Sequence, residues 1–219
     1  MWRDVFPLAF GQIDTFDPKC QSSWVSPNDL KSDAILDASL AVFCRYGFRK
    51  TSMRDIAEAA GISRAAVYLH FKNKEDVFRA GSIRAHGQVM NAVEAELSRN
   101  AEVFERIETA LAAYFAGLLE EISASPHGSE LFDASVELVG GVAHEARQRL
   151  VHLIAAALGE ADKSGEIRLA QAGVSSEQLA ILIFATVDGL KNAGAPTLTV
   201  RSGLALQLQM MRASLAVAV

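Results

Sequence analysis

The chain has 219 residues, half of them apolar, which is enough for one large domain or two small ones with a proper core. Its longest uncharged apolar run, LAILIFATV at 179–187, falls well short of the roughly 20 residues a bilayer-crossing helix needs, so it reads as buried helix and no membrane partner is expected. The net charge of −5 conceals an asymmetry, seven Lys/Arg against two acids over residues 45–74 and ten against sixteen from residue 81 onward, as in an acidic body that meets a polyanion through one small surface.

Residues 1–30 hold Pro7, Pro18, Pro27 and Gly11 among scattered Ser and Asp, without steady periodicity, and are expected to form an irregular extension. Their aromatics Trp2, Phe6, Phe10, Phe16 and Trp24 leave docking on the body open. The opening MWRDVFPLAF carries Asp4 near its start and lacks a seven-residue apolar stretch before a small-residue cleavage site, so it does not read as a signal peptide. Cys20 and Cys44 have no paired spacing, and a cytoplasmic protein with reduced thiols is expected.

Beyond residue 30 nearly every segment has the helical period and none shows β alternation, which predicts an all-α fold. Ile35, Leu36, Leu40, Phe43 and Tyr46 form the stripe of a first helix that ends at Gly47, with Phe48 as the apolar residue past a glycine cap. The second helix starts after Thr51 or Ser52, with Asp55 placed for a capping box on Ser52, and stops at Gly61. The third runs from its N-cap Ser63 to about Phe71, and Asn73 caps the fourth. Longer helices are expected at about 74–97, 101–124, 128–139, 142–162, 176–193 and 200–217. They are broken at Asn100, SPHG (125–128), Gly140-Gly141, KSG (163–165) and AGAP (193–196). The expected organisation is an extension over 1–30, a three-helix head over 31–78 and a helical body over 79–219.

Two short helices joined by a tight corner cross closely if the first offers a small residue, the corner tolerates positive φ and the second faces back with an apolar residue. Ala57, Gly61 and Val67 stand at those places, with Ile56, Ala60 and Ile62 sharing the core. Arg64, Ala65, Tyr68 and Lys72 then form the outward face of the third helix, whose N-terminal end is suited to the DNA major groove. The competing reading is a plain helical hairpin with a basic outer face. Three features favour DNA: the hydroxyls of Thr51 and Ser52 at a helix start, an amphipathic Tyr68 on an exposed face, and Lys74 at a helix N-terminus. A cation at that positive end is disfavoured by roughly 0.3–1 kcal/mol unless an anion lies beside it, so Lys74 is expected to clamp a phosphate.

The segment ILDASLAVFCRYGFRKTSMRDIAEAAGISRAAVYLHFKNKEDVFRA, residues 35–80, resembles the N-terminal DNA-binding domain of the tetracycline-repressor (TetR) family. The resemblance rests on Tyr46-Gly47-Phe48, on Thr51, Arg54, Ile56 and Ala57, and on Gly61 with Tyr68, His70, Phe71 and Lys74, and covers about a fifth of the chain. It implies a one-component transcriptional regulator binding double-stranded DNA. In this reading Thr51, Ser52, Tyr68 and Lys74 hold phosphates, and Arg54, Arg64 and Ala65 approach base edges. Ser63, His70 and Lys72 belong to the same DNA-facing set, His70 being equally a packing residue. Arg64 is the one polar residue of the segment RAAV, so base readout is expected to be narrow and DNA shape to supply much of the specificity.

For the remainder, the resemblance implies a ligand-binding and dimerisation region, a homodimer through helices near 176–193 and 200–217, and a near-palindromic operator released by a small-molecule effector. Leu179, Ile183, Val187 and Leu190, then Leu204, Leu208, Met211 and Leu215, are stripes that either make this interface or face the chain's own core. Met90, Phe104, Tyr114, Phe115, Leu118, Phe132, His144, His152 and Phe184 are candidates to line an effector cavity, with core packing as the alternative for each. His144 and His152 lie roughly 12 Å apart along a helix, too far to share an ion, and neither a metal nor a cofactor is expected. No catalytic motif is recognisable, so the chain is not expected to be an enzyme. The alternatives are an activator of the same fold and, in a different class, a helical protein–protein adaptor.

Overall fold

The computed structural model describes residues 30–193 and 199–215. The expected extension, apart from its last residue, Cys20, most of the AGAP break and the end of the last helix lie outside the described residues. Every regular element among those described is helical: α1 (Leu30–Tyr46), α2 (Met53–Ala59), α3 (Arg64–His70), α4 (Lys74–Leu97), α5 (Val103–Ala124), α6 (Gly128–Ser164), α7 (Leu169–Ala172), α8 (Ser176–Ala193) and α9 (Val200–Leu215).

The head forms as its local signals dictate. Gly47, at φ +82°, ends α1. Ser52 caps α2 through a reciprocal box with Asp55, Ser63 caps α3 by accepting from the Ala66 amide, and Asn73 caps α4 by accepting from the Asp76 amide. The corner between α2 and α3 closes on Ile56, Ala57 and Val67, all buried, while Gly61 turns the chain at φ +67°. The stripe of α1 is shifted from the expected one: Ile35, Leu36 and Phe43 are buried, but Leu40 and Tyr46 are exposed, and Ser39 and Val42 take their places. The Ser39 hydroxyl enters the core because it donates to the Leu36 carbonyl one turn back.

The hydrophobic interior forms two clusters that do not divide at residue 78. One joins the inner faces of α4, α5, α8 and α9 to the second half of α6. The other is the head core, and α6 adds Leu131, Ala134 and Val139 to Ile35, Phe43, Ile56, Val67 and Phe78. The Gly140-Gly141 break appears as a kink inside a continuous α6, with Val139 at φ −138°, ψ 19°. The kink therefore separates a half of α6 that packs in the head from a half that packs in the body. Arg84 of α4 bonds Asp33 and Asp37 of α1, tying the head's first helix to the long helix that leads into the body.

The C-terminal stripes face inward. Leu179, Ile183, Val187, Leu204, Leu208 and Leu215 are buried in the chain's own core, Leu190 and Met211 half so, which removes them as an interface between copies. Apolar residues left exposed on the same helices are Ile181 and Leu182 on α8 and Leu206 and Met210 on α9. The 3.6-residue period marked the buried faces correctly; an interface on the opposite faces carries a weaker pattern because polar residues interrupt it.

An alanine at Gly61 meets open space, so its whole cost is the left-handed backbone. Gly61→Ala is expected to destabilise the protein by about 1–2 kcal/mol and lower the thermal midpoint by roughly 2–8 °C, measured by circular dichroism.

Candidate nucleic-acid interface

The outer surface of α2 and α3 is basic and rigidly presented. Arg54, Arg64, Ala65, Tyr68 and Lys72 are exposed there, and Arg45, Arg49 and Lys50 extend the positive surface toward the end of α1. Arg64 and Tyr68 stand one turn apart and order each other: the guanidinium donates to the phenol oxygen at 3.2 Å and lies 5.4 Å from the ring centre. An arginine held this way loses less freedom on meeting a base edge than one that samples solvent. Leu69 is 84% exposed beside them. A leucine at helical spacing reads as core in the sequence, but here its position suits apolar contact with a thymine methyl.

Four residues expected at phosphates differ in what they have to offer. Ser52 is exposed, its hydroxyl shared with the Asp55 carboxylate at 2.7 Å. Thr51 is buried, and its hydroxyl donates to the Gly47 carbonyl at 2.7 Å, so its side chain closes the turn and presents no oxygen outward. Tyr68 is exposed, and its phenol oxygen accepts from Arg64. Lys74 corrects the expectation of a phosphate clamp. Its ammonium donates to the carbonyls of Phe48 at 2.8 Å, Arg49 at 2.9 Å and Thr51 at 3.1 Å, and stands 4.7 Å from the Phe48 ring centre. An ammonium has three N–H bonds, and all three are taken. The partner of the ammonium is thus a set of neutral main-chain carbonyl dipoles, with the acids Glu75 and Asp76 in the same helical turn. His70 is half-buried with its ring tilted against Phe71, Ser63 is exposed as the cap of α3, and the Lys72 backbone amide reaches Asp76 while its side chain is exposed.

Asp55 is held below the ordinary carboxylate range, first by the Ser52 hydroxyl and next by the Ser52 amide. A carboxylate whose folded pKa is depressed stabilises the fold above its unfolded pKa and loses that contribution as pH falls through the folded value.

Behind the head a cavity of about 630 Å³ opens between the two cores. The body contributes Tyr114, Phe115, Phe132, Phe184, Arg147 and Asp188, and the head and α4 contribute Leu36, Leu40, Phe43, Val77, Phe78 and Arg84. Phe104 is removed from the expected lining because it is fully buried in the body core, and His144 because it is exposed on α6; Met90 is likewise core and His152 exposed. The Leu118 side chain lies outside the described residues. Sequence periodicity missed the α1 and α4 walls because those residues belong to the head's own stripe. Tyr114 is nearly buried, and burial pushes its phenol above the usual range, so it remains a neutral hydroxyl near neutral pH. The Arg147 guanidinium lies over Phe184 at 5.3 Å, with the Asp188 carboxylate 3.8 Å away. No cluster of metal-ligating side chains occurs among the described residues, and none of their helices is long and apolar enough to cross a membrane.

Residues 35–80 match the family model of bacterial regulatory proteins, tetR family. That segment is a tetR-family DNA-binding head. Over 44 residues, a fifth of each chain, the protein is 50% identical to the HTH-type transcriptional regulator AcrR of Shigella flexneri. The fatty acid metabolism regulator protein of Bacillus subtilis is 26% identical over 155 residues, covering 70% of this chain and 78% of that one. In fold it is similar to SmeT, the repressor of the Stenotrophomonas maltophilia multidrug efflux pump SmeDEF, with a TM-score of 0.60 and 24% identity over 85% of this chain and 90% of that one; SmeT is also solved with triclosan. The family match thus spans the head alone, while the shared fold covers 85% of the chain.

Because all three of its donors bond the α1–α2 turn, Lys74→Met is expected to destabilise the protein by roughly 1–3 kcal/mol. It should weaken DNA binding without changing the slope of log affinity against log salt, whereas loss of a phosphate contact lowers that slope by about one ion. Urea unfolding and salt-series DNA titrations measure the two effects. For the capping box, Asp55→Asn should remove the part of the acid-induced destabilisation that sets in below the ordinary carboxylate range, read from urea midpoints across a pH series.

Proposed function

We propose that this protein is a repressor that binds a near-palindromic operator as a homodimer and releases it when a small, largely aromatic molecule fills the cavity behind the head. The observation that carries the DNA half is the ordered Arg64–Tyr68 pair on an exposed, basic recognition helix. Arg64 and Arg54 read base edges, Ala65 and Leu69 make apolar contact, and Ser52, Tyr68 and Lys72 meet phosphates along with the exposed amide end of α2. Thr51 and Lys74 act one layer behind by holding the turn that presents them.

Pairing of copies through the exposed faces of α8 and α9 is supported by their four exposed large apolar side chains on adjacent helices, linked by the Gln207 amide donating to the Leu182 carbonyl. A dimer sets two recognition helices about one DNA turn apart, roughly 34–36 Å. The effector half rests on the cavity, whose aromatic wall suits an aromatic body and whose Tyr114 hydroxyl and Arg147 suit one polar end. The triclosan complex of the SmeT neighbour supports that chemistry. An effector acts by binding better to the conformation with misplaced reading heads, and shifts operator affinity by no more than that difference.

Selection of duplexes from a random pool, followed by titration, tests this directly. Arg64→Ala should relax preference at a position read by bidentate guanine contact, by about 1–3 kcal/mol. Leu182→Asp with Met210→Asp should turn the dimer into a monomer by sedimentation and abolish preference for two half-sites over one. A wild-type protein that shifts no duplex at low salt would remove the reading. Triclosan at tens of micromolar, added to the preformed complex, is the first effector to try; the expected outcome is release.

A further inference from the structure

The turn from Gly47 to Thr51 is gripped from two directions by groups outside the DNA-facing surface. From α4 comes the Lys74 ammonium. From the body comes Glu130 in the first turn of α6, which accepts the Arg49 amide at 2.6 Å. Beside it the Ser125 hydroxyl donates to the Cys44 carbonyl at 2.6 Å, one of the last carbonyls of α1. Gly47 makes the approach possible. It adopts φ +82°, and a Cβ there would run into the Glu130 carboxylate and stand 3.1 Å from His127 Nδ1. Amide 49 has no helical acceptor, so the carboxylate supplies the bond that the turn lacks. The bond is charge-assisted and about twice as strong as a neutral one.

The same stretch of α6 has a second face. Leu131, Phe132 and Ser135 line the cavity within five residues of Glu130, and Leu131 is also fully buried in the head core. A displacement of this turn therefore moves the wall of the cavity and the carboxylate together. What the carboxylate holds leads straight into Ser52, the cap from which α2 and then α3 take their direction.

We propose that Glu130 is a positioning residue for DNA reading: it docks the Gly47–Thr51 turn against α6 and so makes the angle of the recognition helix depend on where the body places that helix. Glu130 touches no base or phosphate in this assignment, being an anion behind the basic face. Its consequence for DNA rests on the regulator reading above; the contact itself does not.

Full-length Glu130→Ala and Glu130→Gln separate these layers. Amide hydrogen exchange over 47–52 is followed without DNA, with 150–158 of the body core as control. Binding to a duplex selected by the wild-type chain from a random pool is titrated across a salt series. Glu130→Ala is expected to speed exchange over 47–52 about tenfold or more, leave the control peptide unchanged, and weaken the duplex about tenfold with an unchanged salt slope. Glu130→Gln, which keeps an acceptor oxygen, should recover most of both. Unchanged exchange over 47–52, equal acceleration in the control peptide, or faster exchange with wild-type DNA affinity would each overturn the proposal. A wild-type chain that selects no duplex sinks the regulator reading and the positioning role with it, and the exchange arm still shows whether the contact holds the turn.

Discussion

An ammonium ion surrounded by three main-chain carbonyls governs the geometry of the whole head. The carbonyls of Phe48, Arg49 and Thr51 all point at Lys74, which they can do only because Gly47 has turned the chain through a left-handed conformation. Isolated, a lysine at a helix N-terminus opposes the macrodipole. Here the partial negative charge of three oxygens, the Asn73 cap and the acids Glu75 and Asp76 in the same turn offset it. The reward is registration: three residues of irregular chain between two helices are pinned to the start of a third, and the capping box that launches α2 follows immediately. Every later element of the reading unit inherits its direction from that point.

Local rules recovered the head almost residue by residue. Caps at Ser52, Ser63 and Asn73, the glycine stops at 47 and 61, and the Ala57–Val67 crossing all depend on neighbours within a few positions, and short-range chemistry is what a sequence displays. The failures share a cause. Side-chain pattern alone places Lys74 and Thr51 at phosphates because their partners, carbonyls 23 or more residues away for the lysine and four away for the threonine, are backbone atoms that every residue carries. Glu130 was invisible for the same reason, since its partner is an amide. In the body, periodicity locates the long helices and most of their buried stripes but not the four-residue α7 or the continuity of α6, and it cannot tell a stripe that meets its own core from one that meets another copy.

The cavity shows a further limit of reading helices one at a time. Its walls come from α1, α4, α5, α6 and α8, and the residues that α1 contributes, Leu36, Leu40 and Phe43, belong to a helix assigned wholly to the DNA-binding head. A molecule lodged there is in van der Waals contact with the reading unit itself, without a relay of intermediate side chains. Arg84, fixed to Asp33 and Asp37 on α1, stiffens the same wall. Small movements of the cavity boundary are therefore movements of the head.

The kinked α6 lends its first half to the head, with Leu131, Ala134 and Val139 completing a core that residues 35–78 begin. Modular as the sequence match makes it look, the DNA-binding segment is thus an unfinished object when cut from its chain. Excision at the start of α4 would leave greasy sockets facing water. Swapping heads between relatives in a chimaera would transplant the reading surface faithfully while bequeathing it a foreign plug, so the join belongs within α6, at the paired glycines, and not at the family boundary.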